Sequence, residues 1–369
     1  IIRILWKINK FVRCSNVKTL IMKFKIGLLG IVALAVAACG GVKKDNQVTV
    51  IDGFAQGGTY HIVIKSDRPV DLKGQVDSLL REIDNSMSLF NPDSRLSRLN
   101  RNETDSVDAF IADCIAEAER LSRETDGAYD ITVKPLTAAY GFAGDSVVQQ
   151  PNVDSLLRFV GYRKIAVDGG RLRKEDPRMQ LDLNSIAQGA TSDYIAAYFD
   201  SLGLTDYIVE VGGEIFCRGS NAEGKPWRVG IDRPAEGNVL PGADLETVIG
   251  LSGQGLATSG NYRKFYTDDK GRKIVHTINA RTGEPVISNL LSVTVVGPTA
   301  TLADAYGTVC MILGLEKSKE FLAGHPDFRR EGFTLPIGEV PEGQITLWPQ
   351  TYLTPGMEAM IARQASTRQ

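Results

Sequence analysis

Apolar residues recur along this chain with two periods, and the switches between them outline the elements. Val48–Ile51 and Thr59–Lys65 read as strands; in Tyr60-His61-Ile62-Val63-Ile64 the apolar positions alternate and then run together. His61 is then a half-exposed strand residue. Leu72, Val76, Leu79, Leu80, Ile83 and Met87 follow helical spacing, until Asn91-Pro92-Asp93-Ser94 breaks the run into a turn. Val107, Phe110, Ile111, Cys114, Ile115, Ala118 and Leu121 make a second helix that stops near Gly127. Lys164–Val167 and Arg171–Lys174 flank Asp168-Gly169-Gly170 as a hairpin. Met179–Leu183 reads as a strand and Ser185–Leu202 as a helix, with Ala187, Ala190, Tyr194, Ile195, Tyr198 and Phe199 inward and Gly203 as its stop. Strands are expected over Tyr207–Val211, Glu214–Arg218, Trp227–Ile231, Thr247–Ser252, Lys273–Ile278 and Leu291–Val296. Helices start near Thr301 and Leu315, and Ile345–Trp348 is a last edge strand. Runs of strands with short turns, joined to a few long helices, predict an α+β fold with mainly antiparallel sheet. Residues 221–246 form a polar excursion around one strand; no interdomain linker and no short repeat interrupts the chain.

The first stretch does not belong to that fold. Lys23 and Lys25 precede an uncharged run that ends Val36-Ala37-Ala38-Cys39, the basic, apolar and small-residue order of a secretory signal. The run is shorter than the ~20 residues that span a bilayer. A cysteine at the cleavage point resembles the lipobox of bacterial lipoproteins, where the thiol is acylated and becomes the new N-terminus. The expected division is an upstream segment (1–21), a signal peptide from Met22 (22–38), a tether from a lipidated Cys39 (39–47) and one domain (48–350). The mature protein is then held by its lipid on the extracytoplasmic, periplasmic side of a membrane.

Composition adds exclusions. The net charge is −2, with no Lys/Arg block, so nothing points to nucleic acid. Past Cys39 only Cys114, Cys217 and Cys310 remain, enough for one disulfide at most and without a CxxC pair. Cys114 and Cys310 fall on apolar helix faces and read as core thiols.

Candidate chemistry gathers between Gly255 and Met311. Ala257-Thr258-Ser259-Gly260-Asn261 is a run of small residues that lets backbone N–H groups approach an anion. His276 is followed by Arg281-Thr282-Gly283, a base and a phosphate fork on one strand and its turn. Asp304 and Thr308, spaced i, i+4 on a helix, turn two oxygens the same way, as a hard cation needs. Each piece alone has a plain alternative: a surface loop, a strand histidine, a helix pair.

The chain resembles the FAD:protein FMN transferases of the ApbE type, from Val50 to about Ala323. Gly57-Gly58-Thr59-Tyr60 stands where the family has Met-Gly-Thr. Met87-Ser88-Leu89-Phe90 with Ser94-Arg95-Leu96-Ser97-Arg98-Leu99-Asn100, Gly127-Ala128-Tyr129-Asp130-Ile131-Thr132-Val133-Lys134-Pro135-Leu136, Leu181-Asp182-Leu183-Asn184-Ser185-Ile186-Ala187-Gln188-Gly189 and Val209-Glu210-Val211-Gly212-Gly213-Glu214 match its next blocks in order. Ala257–Tyr262, His276–Pro285 and Ala303–Thr308 supply the last three. Each block is weak alone, and their order carries the resemblance.

The resemblance implies tandem T-fold-like halves and a reaction: cleavage of FAD, transfer of FMN to a Thr or Ser of a target protein, release of AMP, and a need for Mg²⁺. It implies membrane redox-pump subunits as targets. It places His276 as base for the acceptor hydroxyl, with Arg281 beside it. It adds Ser185 and the Ala187 carbonyl to Asp304 and Thr308 as metal donors. Ala128, Tyr129, Asp130 and Asp182 would hold flavin or adenine, Phe90 would stack on a ring, and Gly57, Gln188 and Ile278 would make contacts. Asp130 and Asp182 could equally be turn formers, and Phe90 core. Three departures stand out: Gly57 for Met, Gln188 for Lys, and Asn279-Ala280 for Asp-Pro. Two other functions stay open at this level: hydrolysis of FAD to FMN and AMP, and plain binding of a small molecule.

Overall fold

The alternating stretches pair as antiparallel strands and the 3.6-period stretches cover them. The computed structural model describes residues 47–142, 151–235, 238, 242–261, 265–286, 288, 290–324, 333–337, 350–353, 356–358 and 360–361. The expected signal segment, Cys39, most of the expected tether and Ile345–Trp348 lie outside the described residues.

In chain order, β1 (Gln47–Ala55) and β2 (Gly58–Ser66) form a hairpin, and α1 (Lys73–Met87), α2 (Arg95–Asn100), α3 (Ala109–Glu124), α4 (Lys134–Ala139) and α5 (Val153–Leu157) follow. The hairpin β3 (Ile165–Asp168) and β4 (Arg171–Lys174) precedes the long helix α6 (Ala187–Ser201). Then come β5 (Asp206–Val211), β6 (Glu214–Arg218), β7 (Trp227–Asp232), β8 (Leu245–Leu251) and β9 (Gln254–Gly260). Short β10 (Phe265–Thr267), β11 (Lys273–Val275), β12 (Ile278–Asn279) and β13 (Glu284–Pro285) lead to β14 (Ser292–Gly297). Helices α7 (Ala300–Leu313) and α8 (Leu315–Ala323) and strands β15 (Phe333–Ile337) and β16 (Gln350–Leu353) complete the order.

One eight-stranded sheet, β1-β2-β5-β6-β9-β14-β15-β16, runs through the molecule, antiparallel at every pair. Period-two alternation gives it two working faces. Tyr60, Ile62, Ile64, Val209 and Val211 turn to one side and bury against Val76 and Leu80 of α1 and Ile195 and Phe199 of α6. Ile215, Cys217, Leu256 and Val296 turn to the other and bury under Trp227, Val229 and Ile249 of the β7–β8 hairpin. Strand β14, Ser-Val-Thr-Val-Val-Gly, is buried at every position because both of its faces are covered. Cys114, Cys217 and Cys310 are all buried free thiols. His61 is exposed and pairs with Asp52 across the β1–β2 ladder, at 2.5 Å.

Several expected boundaries move for physical reasons. Met179–Leu183 is no strand: the side chain of Asn100 takes the place of a strand neighbour, its Nδ2 donating to Leu181 O at 2.9 Å and its Oδ1 accepting from Leu181 N at 2.7 Å. The alternation there records burial, since Met179, Leu181 and Leu183 are all buried. The helix expected from Ser185 starts at Ala187, after a turn. The strand expected over Lys273–Ile278 stops at Val275 and resumes at Ile278, with His276 at the bend between. The small-residue run at Ala257 is no loop: it is the end of β9, in the middle of the sheet.

Helices α6 and α7 cross closely, and small residues make this possible. A Cβ added to Gly189 would sit 2.4 Å from Ala300 O, and one added to Gly255 of β9 would sit 2.2 Å from Ala300 N. At this crossing each helix supplies a carboxylate to the other's N-terminus. Asp193 of α6 accepts from Ala300 N at 3.0 Å and from Thr301 N at 2.8 Å. Asp304 of α7 accepts from Gly189 N at 3.1 Å. These N–H groups have no partner within their own helices, and the helix dipoles favour the negative charge.

Gly189→Ala is expected to cost ~1–3 kcal/mol, because the added methyl meets backbone that cannot move aside. Gly74→Ala, in the open first turn of α1, should be neutral or slightly stabilising. Urea unfolding of both checks this; equal stability of Gly189→Ala and wild type would overturn the close-crossing account.

Candidate active site

The crossing of α6 and α7 forms the floor of a cavity of about 1020 Å³. Around it stand the β1–β2 turn, the end of α1 with Met87–Asn91, the Tyr129–Val133 segment, the turn before α6, the β5–β6 turn, the end of β9 and the His276 bend. Strand β6 pairs with β9 only as far as Leu256, so Thr258, Ser259 and Gly260 run on past it and line the cavity. Helix α7 approaches β9 there through Gly307, where a Cβ would sit 2.7 Å from Ser259 Oγ.

Nearly all the candidate residues meet on this cavity. His276, Gly57, Phe90, Tyr129, Asp130, Asp182, Ser185, Ala187, Gln188, Ile278, Asp304 and Thr308 line it. Arg281 and Ala128 do not. Arg281 pairs with Asp126 at 3.1 Å, both side chains exposed. Ala128 is buried behind Tyr129, and its carbonyl accepts from Ala280 N at 3.0 Å. A proline at position 280 could not donate that bond. The Ala280 departure thus ties the His276 loop to the Tyr129-Asp130 segment. Asn279 shapes the same loop by accepting from Arg281 N at 3.0 Å.

The two buried carboxylates of the upper wall are turn formers and wall residues at once. Asp130 accepts from Thr132 N at 2.8 Å and from Tyr162 N at 2.5 Å. Asp182 accepts from Asn184 N at 3.0 Å and from the Thr137 hydroxyl at 2.9 Å. Burial pushes both above the usual carboxylate range, against the pull of these donors. Tyr129 and Ser185 share a hydrogen bond at 3.0 Å between their hydroxyl oxygens, and burial also raises the Tyr129 phenol. Phe90 is not core: it is 68% exposed at the rim.

His276 stands at the bend with the ring of Phe142 edge-on to it, centroids 6.2 Å apart. Thr277 fixes the bend from below, its hydroxyl donating to Asn261 Oδ1 at 2.8 Å. Gly57 has φ +77° in the two-residue β1–β2 turn, beside Gln56 at φ +53°. Such a turn wants left-handed residues, and Met at 57 would be strained although the space is open. The amide of Gln188 lies over Gly212, where a Cβ would sit 2.2 Å from Nε2.

Charge is one-sided. Asp84, Asp130, Asp182, Glu210, Glu214, Asp232 and Asp304 line the cavity, and among the described lining residues there is no Lys or Arg. Asp304 is pushed up to about 7 by burial; the Gly189 N–H opposes this and the charge of Asp193 adds to it. Among the described residues no three His, Cys, Asp or Glu side chains group as a metal cluster.

Comparison with known proteins gives this geometry a family. A profile of the ApbE family matches residues 56–329. The chain belongs to the ApbE family. It is 35% identical over 305 residues to the FAD:protein FMN transferase of Haemophilus influenzae, covering 78% of this chain and 86% of the relative. With the FAD:protein FMN transferase of Escherichia coli K12 it shares 34% over 303 residues, 78% of this chain and 83% of the relative. Among solved structures, the Pseudomonas stutzeri flavinyl transferase ApbE in its apo form superposes with a TM-score of 0.73 at 27% identity, over 86% of this chain and 97% of that one. The Vibrio cholerae flavin transferase ApbE does so with 0.72 at 28% identity, over 85% and 99%.

Some of the ApbE cavity was not foreseen. Phe142 sits outside every motif and gave no signal. Gln56 adjoins a motif glycine, Glu210 lies inside the Val209–Glu214 block without having been given a role, and Gln56-Gly57 between two alternating strands is itself a hairpin-turn signal.

The Asp304 carboxyl should make the metal-free protein pH-sensitive. Between the ordinary carboxylate value of 3.8 and about 7 the unfolded chain is ionised while the folded one keeps the proton, so stability falls as pH rises through that window. In EDTA, Asp304→Asn is expected to be more stable than wild type at pH 8 by at least ~1 kcal/mol, the gap closing toward pH 4. Thermal unfolding at both pH values checks this; a gap independent of pH would refute it.

Proposed function

We propose that this chain transfers the FMN half of FAD to a Thr or Ser of a target protein and releases AMP. The ApbE relatives named FAD:protein FMN transferase support the reaction, and one cavity feature carries it: His276 faces the same space as Asp304, Thr308, Ser185 and Ala187. The acceptor oxygen attacks the phosphorus on the riboflavin side, the anhydride P–O bond breaks, and AMP departs with the bridging oxygen. The acceptor hydroxyl is a poor nucleophile until its proton has somewhere to go. The imidazole of His276 takes it, and Phe142 with the Thr277–Asn261 bond holds that ring in place.

FAD brings a doubly negative pyrophosphate to a wall that offers no Lys or Arg among its described residues. Asp304, Thr308, Ser185 and the Ala187 carbonyl are hard oxygen donors of the kind Mg²⁺ takes. They fit the ion, since among the described residues the groups acting on the buried Asp304 carboxyl include no cationic side chain. When bound, Mg²⁺ would supply neutralisation of the phosphate charge. Backbone at the Gly57-Gly58 and Gly212-Gly213 turns can approach the substrate closely, having no Cβ in the way. Tyr129, Asp130, Asp182, Gln188, Ile278 and Phe90 are placed to receive the ring systems.

His276→Asn is expected to keep FAD binding while slowing FMN transfer by ~10²–10⁴-fold. Wild-type transfer should rise with pH through the imidazole range, since only the neutral ring accepts a proton. His61→Asn, outside the cavity wall, is the control. Flavin fluorescence on a gel reads transfer and AMP release reads cleavage. Equal transfer by the two variants would refute the base; AMP release from wild type with no labelled acceptor would point to water as acceptor.

The same reading includes the anchor: Cys39 carries a lipid and holds the enzyme on the extracytoplasmic side of a membrane, where membrane redox-pump subunits are its targets. It rests on the order Lys23, Lys25, apolar run, Ala37-Ala38-Cys39. Cys39→Ser should leave the membrane fraction or accumulate as unprocessed precursor. Fractionation and migration identical to wild type would exclude lipidation.

A further inference from the structure

Gln56 sits in the β1–β2 turn in an unfavourable state on two counts. Its backbone is left-handed, at φ +53°, where residues other than glycine are uncommon. Its Oε1 is buried and has no hydrogen-bond partner among the described residues. A buried acceptor left unmet is destabilising. Both features are held in place by one bond: Gln56 Nε2 donates to Thr191 Oγ1 at 2.8 Å.

Thr191 in turn donates its only hydroxyl proton to Ala187 O, at 2.8 Å. Toward Gln56 it can therefore only accept, which decides that the amide presents its NH₂ there and not its oxygen. The relay runs Gln56 N–H to Thr191 O–H to Ala187 C=O. Its far end is the carbonyl of the first residue of α6, on the cavity wall. Its near end is the turn whose Gly57, Gly58 and Thr59 also line the cavity.

A carbonyl oxygen has two lone pairs. The helix ladder of α6 uses one, and the Thr191 hydroxyl uses the other. A divalent cation at Ala187 O competes for the second. Thr191 then needs a new acceptor, and the unmet one beside it is Gln56 Oε1, reached by a flip of the Gln56 amide.

We propose that Gln56 is a positioning residue that couples cation binding at the Ala187 carbonyl to the order of the Gln56–Thr59 turn. Cation binding reverses the relay, so that the Thr191 hydroxyl donates to Gln56 Oε1. The buried acceptor is satisfied, the Gln56 NH₂ leaves Thr191 for the place Oε1 held, and the turn stiffens before FAD arrives. This rests on the reading of Ala187 O as a cation donor given above.

The test uses the full chain, Mg²⁺ alone and no FAD. Calorimetry measures Mg²⁺ binding, and amide hydrogen exchange measures the segment from Ala55 to Tyr60. Saturating Mg²⁺ should slow exchange there at least about fivefold in wild type, the low end of typical coupling between sites. In Gln56→Met and Thr191→Val it should change less than about twofold, while Mg²⁺ still binds. Thr191→Ser keeps the hydroxyl and should behave as wild type. Mg²⁺ binding without slowed exchange in wild type, or equal slowing in Gln56→Met, overturns the coupling and leaves the cation reading intact. No Mg²⁺ binding to wild type overturns both.

Discussion

The rest of the structure depends on two helices crossing closely enough for each to cap the other. Asp193 of α6 takes the first N–H groups of α7, and Asp304 of α7 takes an N–H of α6. Gly189 and Gly255 let the N-terminus of α7 come this near. The arrangement puts two carboxylates in one buried neighbourhood, and burial, with the Asp193 charge added to it, holds the proton on Asp304 up to about pH 7. A residue that only capped a helix could be Ser or Asn at less electrostatic cost. A carboxylate whose burial no cationic side chain among the described residues offsets suits a charge that comes and goes.

The cavity follows from that crossing. Its floor is helical and its walls are turns, each tied down by side-chain bonds to backbone: Asp182 to Asn184 N, Asp130 to Thr132 N and Tyr162 N, Asn279 to Arg281 N. Turns held this way can present backbone to a ligand while spending few side chains on it. Among the described lining residues carboxylates outnumber basic groups, which on the reading proposed above is why an anionic substrate would need a cation.

Much of this was legible in the residue pattern. Strands β1 and β2 and helices α1, α3 and α6 follow from periodicity, because each buries one face or stripe. The reading failed where burial and pairing part company. Met179–Leu183 alternates like a strand, yet Asn100 supplies the bonds a strand neighbour would. Ala257–Gly260 is too small and polar to look like a central strand; it is one because α7 needs small residues beneath it. Arg281 follows His276 closely in sequence but points to Asp126, since the Asn279 turn reverses the chain between them. Spacing along a chain fixes which residues can meet on one helix or strand, and not what happens across a turn.

The three departures from the family pattern share one physical character. Gly57 gives up a side chain and gains a left-handed turn at no steric cost. Ala280 gives up the rigidity of proline and gains an N–H that binds Ala128 O. Gln188 gives up a cation and gains an amide that packs over Gly212. Each exchanges a side-chain contribution for backbone geometry or packing. The loss at Gln188 has the largest consequence, because it leaves the described wall of the cavity without a basic side chain. On the reading proposed above, affinity for a pyrophosphate would track cation occupancy more steeply here than in a relative with lysine at this position.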